Sequence, residues 1–330
     1  MKRFYLFKKA IICFLLVVLL NFSFNYASAN VTTLYLGGNV LGFTIKTEGA
    51  TVVGTCDVIT ENGLVSPLKS VGVLQGDVII KMNGNAVNSA SDVNAETIKS
   101  KGNVIVLEYL RDGKTHIVNV TPAKDVNGLY RLGVFIRNDL TGLGTVTYYT
   151  SDGSFASLGH PVINENGSII SVNSGSVYSA TVIGVNKASR GKAGELRGTF
   201  LQDATIGKIS KNSKVGLYGK IEKFNRFGYR LIECGVATQG KAQIYSTVNG
   251  STPEYYDVDI VKTDHKNGQN KNLVIHVCDE ELIKITGGIL QGMSGSPIIQ
   301  NGKLVGAVTH VFLNDSTRGY GISILNMLAE

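Results

Sequence analysis

Hydrophobic and polar residues alternate in short runs over most of the chain after Tyr130, with little helical periodicity. A period of two residues is typical of strands that bury one face. The runs recur at the spacing of an all-β barrel, and the chain between His160 and Ser294 is long enough to finish one barrel and most of another. The runs are Leu132–Ile136, Gly144–Tyr149, Ser168–Val172, Val215–Tyr218, Gln243–Thr247 and Tyr255–Val261.

The preceding part of the chain, residues 31–123, combines short strands with one helix. The stretch Gly76–Val87 contains a turn, a strand and an Asn-Gly hairpin signal. Ser91 and Asp92 can cap a helix that runs to about Ser100. Two final strands are predicted at Asn103–Arg111 and Thr115–Val120. This order predicts a small α/β module before the barrel region.

A basic and then apolar segment occupies residues 1–29. An apolar run from Ala10 to Leu20 follows four basic residues and precedes Ala27-Ser28-Ala29. This pattern predicts a secretory signal peptide, cleaved before Asn30, or a short N-terminal membrane anchor if it stays attached. Either way, we expect the rest of the chain to cross a membrane. Without this segment 28 basic residues face 25 acidic ones, so the formal net charge falls from +7 to +3 and gives no argument for nucleic-acid binding.

Cysteine and histidine spacing gives no indication of a metal or cofactor. Cys13 lies in the N-terminal segment, and Cys56, Cys234 and Cys278 are far apart in the chain. Neither CxxC nor HExxH spacing occurs. We therefore predict no disulfide framework, no metal site and no cofactor.

The turn Gln291–Pro297 is the strongest chemical signal in the sequence. Two glycines bracket Ser294 there, and glycine enters backbone conformations that other residues avoid. Such a turn can present a serine nucleophile and aim the amides of Gly292 and Ser294 at one point, as an oxyanion hole. The order Gly-x-Ser-Gly-x-Pro is similar to that of chymotrypsin-like serine peptidases, which favours Ser294 over Ser296 as the nucleophile. Taken alone, a Gly/Ser/Pro cluster is more often an ordinary turn.

A general base is available upstream in the turn that contains His160, between Gly159 and Pro161. A histidine before the serine fits the chain order of chymotrypsin-like enzymes. The rival is His310, which is nearer in sequence but falls in a strand after the serine and is interpreted as part of a pocket wall.

The third member of a triad is less well defined. Asp279 ends a strand fifteen residues before Ser294 and could orient His160. It could equally be a solvated acid at a strand end beside two glutamates. Asp203 and Asp152 are the fallback candidates.

The module at residues 31–123 resembles a PDZ domain, most specifically at Gly76–Val87. This resemblance implies that a peptide is captured as an added strand beside the helix, with its C-terminal carboxylate at Leu41-Gly42-Phe43. A PDZ-like module followed by Leu158-Gly159-His160-Pro161 and the Gly-Met-Ser-Gly-Ser-Pro turn resembles the stage IV sporulation protein B peptidases. The implied fold is mainly β: a small PDZ-like α/β module, then a chymotrypsin-like double β-barrel at residues 124–330.

The family resemblance implies a serine endopeptidase of endospore formation. In that family the nucleophile falls on Ser294, the base on His160 and a supporting acid on Asp279. Family members are exported from the forespore into the space between its two membranes. There they cleave a protein partner, typically a regulator of an intramembrane metalloprotease, and they also cleave themselves near the N-terminus.

Two alternatives from other classes remain at this stage. The chain could be a catalytically silent PDZ scaffold that binds protein C-termini in the same compartment. It could also be an HtrA-like quality-control protease, although those usually carry PDZ modules after the catalytic domain. The presence of nucleophile, oxyanion turn and base in order favours an active peptidase.

Overall fold

The computed structural model describes residues 32–164, 167–172, 174–266 and 269–330. The predicted signal or anchor at residues 1–29 lies outside these ranges. Across the described part of the chain, no helix combines the length and the apolar character needed to span a bilayer. Residues from Leu34 to Glu330 form one compact unit.

The first part of the chain contains short strands and helices around one long strand, β2. Their bounds are β1 (Thr33–Leu36), β2 (Val40–Thr55), β3 (Val58–Thr60), β4 (Gly63–Val65), α1 (Pro67–Ser70), β5 (Val78–Met82), β6 (Asn85–Ala86), α2 (Ala90–Lys99), β7 (Ile105–Arg111), β8 (Lys114–Val120), β9 (Ala123–Lys124) and β10 (Tyr130–Arg131).

The remainder is dominated by strands, with a single 3₁₀ turn at Arg226–Gly228 among its described residues. The bounds are β11 (Val134–Tyr149), β12 (Ser154–Ser157), β13 (Ser174–Asn186), β14 (Gly194–Ser213), β15 (Gly216–Ile221), β16 (Leu231–Glu233), β17 (Gly240–Ser246), β18 (Glu254–Thr263), β19 (Leu273–Val277), α3 (Glu280–Thr286), β20 (Leu290–Gln291), β21 (Pro297–Gln300), β22 (Lys303–Phe312), β23 (Asp315–Ser323) and α4 (Ile324–Leu328).

Two barrels follow from the strand pairings. In the first, pairings run from β2 through β11, β12, β15, β14 and β13 and return to β2. The second is a closed barrel in the order β17-β18-β19-β23-β22-β21. Alternate residues of β17, β18 and β19 are buried, which matches the period of two in the sequence. Strand β21 and most of β22 are buried on both faces. The predicted double β-barrel is confirmed.

The PDZ module has its own core between β5, β7 and helix α2. Ile79, Met82, Ile105 and Leu107 are fully buried there. The predicted Asn-Gly turn joins β5 to β6, with positive φ at both central residues. The helix begins at Ala90, slightly earlier than predicted, because Ser89 caps it by accepting a hydrogen bond from the amide of Asp92.

The boundary between module and barrels differs from the predicted division at residues 31–123 and 124–330. The stretch Val40–Lys46 of β2 pairs with β11 on one side and β13 on the other, so it completes the first barrel. Further along, β2 pairs with β5 and enters the PDZ module. Strand β11 makes the return crossing, since Val134–Arg137 pairs with the PDZ part of β2. The module is therefore inserted between two neighbouring strands of the first barrel.

Candidate active site and peptide groove

Ser294 lies in the turn that joins β20 to β21, which is here called the serine loop (Gln291–Pro297). Gly295 has φ +95°, and a Cβ atom built on it would lie 2.0 Å from the carbonyl oxygen of Thr145. Only glycine fits this conformation and this gap. Because Thr145 belongs to the first barrel, the glycine lets the second barrel's loop touch the first.

All four carbonyl groups from Gly292 to Gly295 accept hydrogen bonds. The hydroxyl of Thr145 donates to Gly292 O (2.8 Å), and its amide donates to Ser294 O (3.1 Å). Thr147 Oγ1 donates to Gly295 O at 2.7 Å, and Met293 O accepts from Ser296. The loop conformation is therefore fixed from several directions.

The amide of Ser294 is the exception in this network. The amides of Met293, Gly295 and Ser296 donate to backbone carbonyls, whereas Ser294 N has no acceptor among the described residues. A free amide in a loop whose carbonyls are all held is suited to bind a developing negative charge. Gly292, the other predicted donor of the oxyanion hole, lies in the same turn and has φ +96°.

His160 reaches the same place from the first barrel. It follows β12 in a turn where Gly159 has φ +66°, and a Cβ on Gly159 would lie 2.9 Å from Thr309 Cγ2 and 3.0 Å from Ile322 Cγ2. The turn therefore packs against β22 and β23 of the second barrel.

Strand β22 contacts both of the predicted residues. Ser294 Oγ donates to the carbonyl of Thr309 at 2.8 Å. The ring of His160 packs against that of His310, with centroids 4.9 Å apart. Ser294 and His160 thus contact consecutive residues of one strand. The single hydroxyl proton of Ser294 is directed at the backbone in this state, so a general base could take it only after the hydroxyl has turned.

A backbone carbonyl orients His160. Its Nδ1 lies 2.9 Å from the carbonyl oxygen of Pro161. A carbonyl only accepts hydrogen bonds, so Nδ1 carries the proton and Nε2 keeps its lone pair. Burial lowers the pKa of His160 below its ordinary value of 6.5, while the bond to Pro161 acts in the opposite direction. The imidazole is therefore neutral, and it is a base, at pH 7.

Asp279 is not placed to orient His160, contrary to the sequence-based hypothesis. Its Oδ1 accepts from Leu282 N (2.9 Å) as the N-cap of α3, and its Oδ2 accepts from Asp257 N (3.1 Å). The histidine turn packs at the opposite end of β19, where Leu273 pairs with β23. Asp279 lies six residues beyond Leu273, or about 20 Å along an extended strand.

The two fallback acids are placed elsewhere as well. Asp152 forms an ion pair with Lys220 at 2.8 Å and caps the β11–β12 turn through Thr150 and Ser154. Asp203 is exposed in the middle of β14. Neither contributes to the His160 site.

Sequence reasoning missed the threonines that hold the serine loop. Thr145 and Thr147 are fully buried in β11, and both donate their hydroxyl protons to the loop. The available signal was two threonines at alternate positions of an apolar strand, which places both hydroxyls on one face.

The predicted peptide site at Leu41-Gly42-Phe43 is wrong. These residues pair with β11 on one edge and with β13 on the other, so no backbone group there is open to a peptide. The PDZ module instead has a cavity of about 370 Å³ between helix α2 and the start of β11. Val93, Asn94 and Thr97 line the helix side. The strand side is lined by Leu132, Gly133, Val134 and Ile136.

Comparisons with known sequences agree with this architecture. The sequence model of a family described as SpoIVB peptidase S55 matches residues 128–328, and that of the PDZ domain matches residues 40–121. The two matches follow the predicted order along the chain.

Individual relatives match over short segments. A DegP-like periplasmic serine endoprotease of Chlamydia trachomatis is 38% identical over 79 residues, which is 22% of this chain and 16% of the relative. A protein of Clostridium perfringens described as a zinc metalloprotease is 30% identical over 69 residues, 21% of either chain. The chain thus spans about a fifth or less of these relatives. The crystal structure of the Rv3671c protease in an inactive form has a TM-score of 0.31 and 14% identity, and the match covers 58% of this chain and 82% of that one.

Proposed function

The chain belongs to the SpoIVB peptidase S55 family and is a serine endopeptidase, and from this premise we propose that Ser294 is its nucleophile and His160 its general base. One observation carries this assignment. The two side chains come from different barrels and meet on Thr309 and His310 of a single strand, beside a loop with a free amide.

The proposed reaction follows the established logic of acyl transfer. Nε2 of His160 takes the Oγ proton of Ser294 as Oγ bonds to the carbonyl carbon of the peptide. The amides of Ser294 and Gly292 stabilise the resulting oxyanion. The C–N bond then breaks, the leaving amine takes the proton from His160, and an acyl-enzyme remains. Water, deprotonated by His160, releases the acyl group and restores Ser294.

A catalytic dyad fits the geometry better than a triad with Asp279. The carbonyl of Pro161 fixes the tautomer of His160 and stabilises the imidazolium by its dipole. That is the positioning task that a carboxylate performs in the Ser-His-Asp arrangement. Asp279 contributes by capping helix α3.

We place the enzyme in sporulation, where it cleaves a protein in the space between forespore and mother-cell membranes. The family description supports sporulation, and the basic and apolar residues 1–29 support export. A regulator of an intramembrane metalloprotease is the proposed substrate, and self-cleavage near the N-terminus is proposed as well.

The PDZ module supplies the proposed peptide-binding site, at the groove between α2 and Leu132–Ile136. Strand β11 is paired with β2 along one edge at this point, and the groove borders its other side. A bound peptide would add a strand beside Val134 and place its side chains against Val93 and Thr97. Val134→Glu should therefore abolish binding of C-terminal peptides, measured by fluorescence polarisation. Phe43→Leu, at the position predicted from the sequence and rejected above, should leave this binding unchanged.

The nucleophile is tested with a fluorophosphonate probe on the full-length chain. We expect one phosphonyl adduct on wild type, located at Ser294 by mass spectrometry, and none on Ser294→Ala. Incubation with denatured casein and with candidate intermembrane proteins should give new termini with wild type only. An adduct on another serine, or cleavage by folded Ser294→Ala, would contradict the assignment.

A further inference from the structure

Two buried serines form a hydroxyl chain beneath the serine loop. Ser296 Oγ lies 2.6 Å from the carbonyl oxygen of Met293 and 2.8 Å from Oγ of Ser246. Both serines are fully buried. Ser296 is therefore inaccessible to a substrate, and the reaction described above does not use it.

The hydroxyl of Ser296 is the donor toward both acceptors, the carbonyl of Met293 and Oγ of Ser246. A hydroxyl has one proton, so the two acceptors share it, and the shorter contact is the one to Met293 O. The two acceptors together hold the Ser296 side chain in one orientation. The amide of Ser296 also donates to Met293 O, at 3.0 Å, so this carbonyl is held by two groups of one residue.

Fixing the Met293 carbonyl also fixes the amide of Ser294. The two groups belong to one planar trans peptide and point in opposite directions. Ser296 is itself restrained, because it precedes Pro297 and is thereby confined to extended conformations. We infer that Ser296, backed by Ser246, is a positioning residue that aims the Ser294 amide at the oxyanion; the inference rests on the proposed role of Ser294.

The key variant is Ser296→Ala, and the chain offers a matched control. Ser100, at the end of α2, also donates its buried hydroxyl to the carbonyl three residues earlier, Thr97 O, at 2.7 Å. Ser100→Ala removes the same atom and the same kind of hydrogen bond to the carbonyl three residues earlier, here from a helical residue far along the chain from the serine loop.

We expect Ser296→Ala to lower kcat about 10- to 100-fold on a peptide substrate, less than complete loss of an oxyanion donor. KM should stay within about twofold, because the oxyanion exists only after attack. The rate of fluorophosphonate labelling at Ser294 should fall in parallel, since the adduct places an oxygen in the same site. Ser100→Ala should change neither, with both variants compared well below their melting temperatures.

Ser246→Ala provides a second, milder test that also decides the matter if Ser296→Ala fails to fold. It should lower kcat roughly two- to fivefold, and the double variant should be no slower than Ser296→Ala, because Ser246 acts only through Ser296. Unchanged kcat in Ser296→Ala would overturn the inference, and so would unchanged kcat in Ser246→Ala where Ser296→Ala does not fold. A change confined to KM would overturn it as well. If wild type is labelled at a residue other than Ser294, the proposed function itself fails, and the two failures are thus distinct.

Discussion

The serine loop and the histidine turn supply the two halves of the proposed catalytic pair, and they are held in opposite ways. Every carbonyl from Gly292 to Gly295 accepts a hydrogen bond, with donors from both barrels. Among the described residues, the ring of His160 has one hydrogen bond, to Pro161, and a ring contact with His310. An oxyanion hole stabilises charge because its hydrogen-bond donors are fixed in advance, whereas a general base changes its charge and its hydrogen-bond partner during the reaction. The difference in restraint matches this difference in task.

Removing His160, the residue with fewer restraints, should have the largest effect on kcat. We expect His160→Ala to lower kcat by about 10⁴-fold or more, and Ser294→Ala to add no further loss in the double variant, because the two residues act as a unit. Single-turnover and steady-state assays on the same peptide measure this. His116→Ala, which removes an exposed histidine of the PDZ module, is the control and should have wild-type kcat. Retention of a tenth of the activity in His160→Ala would remove it from the role of base.

Removing one restraint on the serine loop should have an intermediate effect on kcat. Thr145→Val removes the hydrogen bond to Gly292 O but keeps the shape and the backbone amide. The carbonyl is then left without this donor in a partly buried place, and we expect kcat to fall about tenfold with a loss of roughly 1 kcal/mol in the free energy of unfolding.

The control for that change is Thr44→Val in the neighbouring strand. Thr44 is also buried, but its hydroxyl pairs with that of Thr141, away from the serine loop. It should affect stability without affecting kcat measured well below the melting temperature. Equal losses of kcat in Thr145→Val and Thr44→Val would show that the loop needs no restraint from β11.

The pH dependence should report the state of the two histidines. Burial lowers the pKa of His160 below 6.5 and that of His310 to about 4, with further lowering at His310 from His160 and Lys271. His160 is the base in its neutral form, so kcat/KM should stay level as the pH falls to 6.5. It should then drop about tenfold per pH unit only below the pKa of His160.

His310→Phe separates the two titrations, because it keeps a ring against His160 but takes no proton. The one-proton slope in kcat/KM should remain. Stability should respond differently: unfolded histidine takes a proton near pH 6.5 and buried His310 only near 4, so wild type loses stability as pH falls across that window. His310→Phe should lose less over the same range in urea titrations. If kcat/KM of His310→Phe did not fall at acidic pH, the titrating base would be His310.

The smallest effect is expected at Asp279. Asn caps helices about as well as Asp, so Asp279→Asn should keep kcat within about threefold, and Asp279→Ala should lose about 1 kcal/mol of stability. If the carboxylate oriented His160, the Asn variant would instead lose kcat about 10⁴-fold. Comparing the two variants by kcat and by thermal unfolding separates capping from catalysis.

The parts of the site that depend on local backbone could be predicted from the sequence. The serine loop is specified by two glycines and a proline within seven residues, and the histidine turn by neighbouring Gly159 and Pro161. The barrels followed from the period of two. Each of these signals lies within a few residues of the feature that it predicts.

The errors concern pairing across long distances. No local pattern shows that Leu41-Gly42-Phe43 lies between β11 and β13, since its partners are more than 90 residues away. Asp279 is different, because a local signal existed: an aspartate followed by Glu280 and Glu281 before an apolar run is a helix start. The sequence-based hypothesis rested on the fifteen-residue spacing to Ser294 and did not use this signal.

The crossing of β2 and β11 between barrel and PDZ module has a consequence for protein engineering. Lys46 and Asp139 are direct partners in the ladder at this crossing, so residues 47–138 occupy the place of a hairpin turn. A chain started at residue 124 would lack β2 and leave the first barrel with open edges, which promote aggregation. Replacing residues 47–138 with Asn-Gly would preserve the ladder. The PDZ module is thus an insertion within a closed barrel. It can be replaced by cutting the chain at both of its ends, but it cannot be removed by truncating the chain.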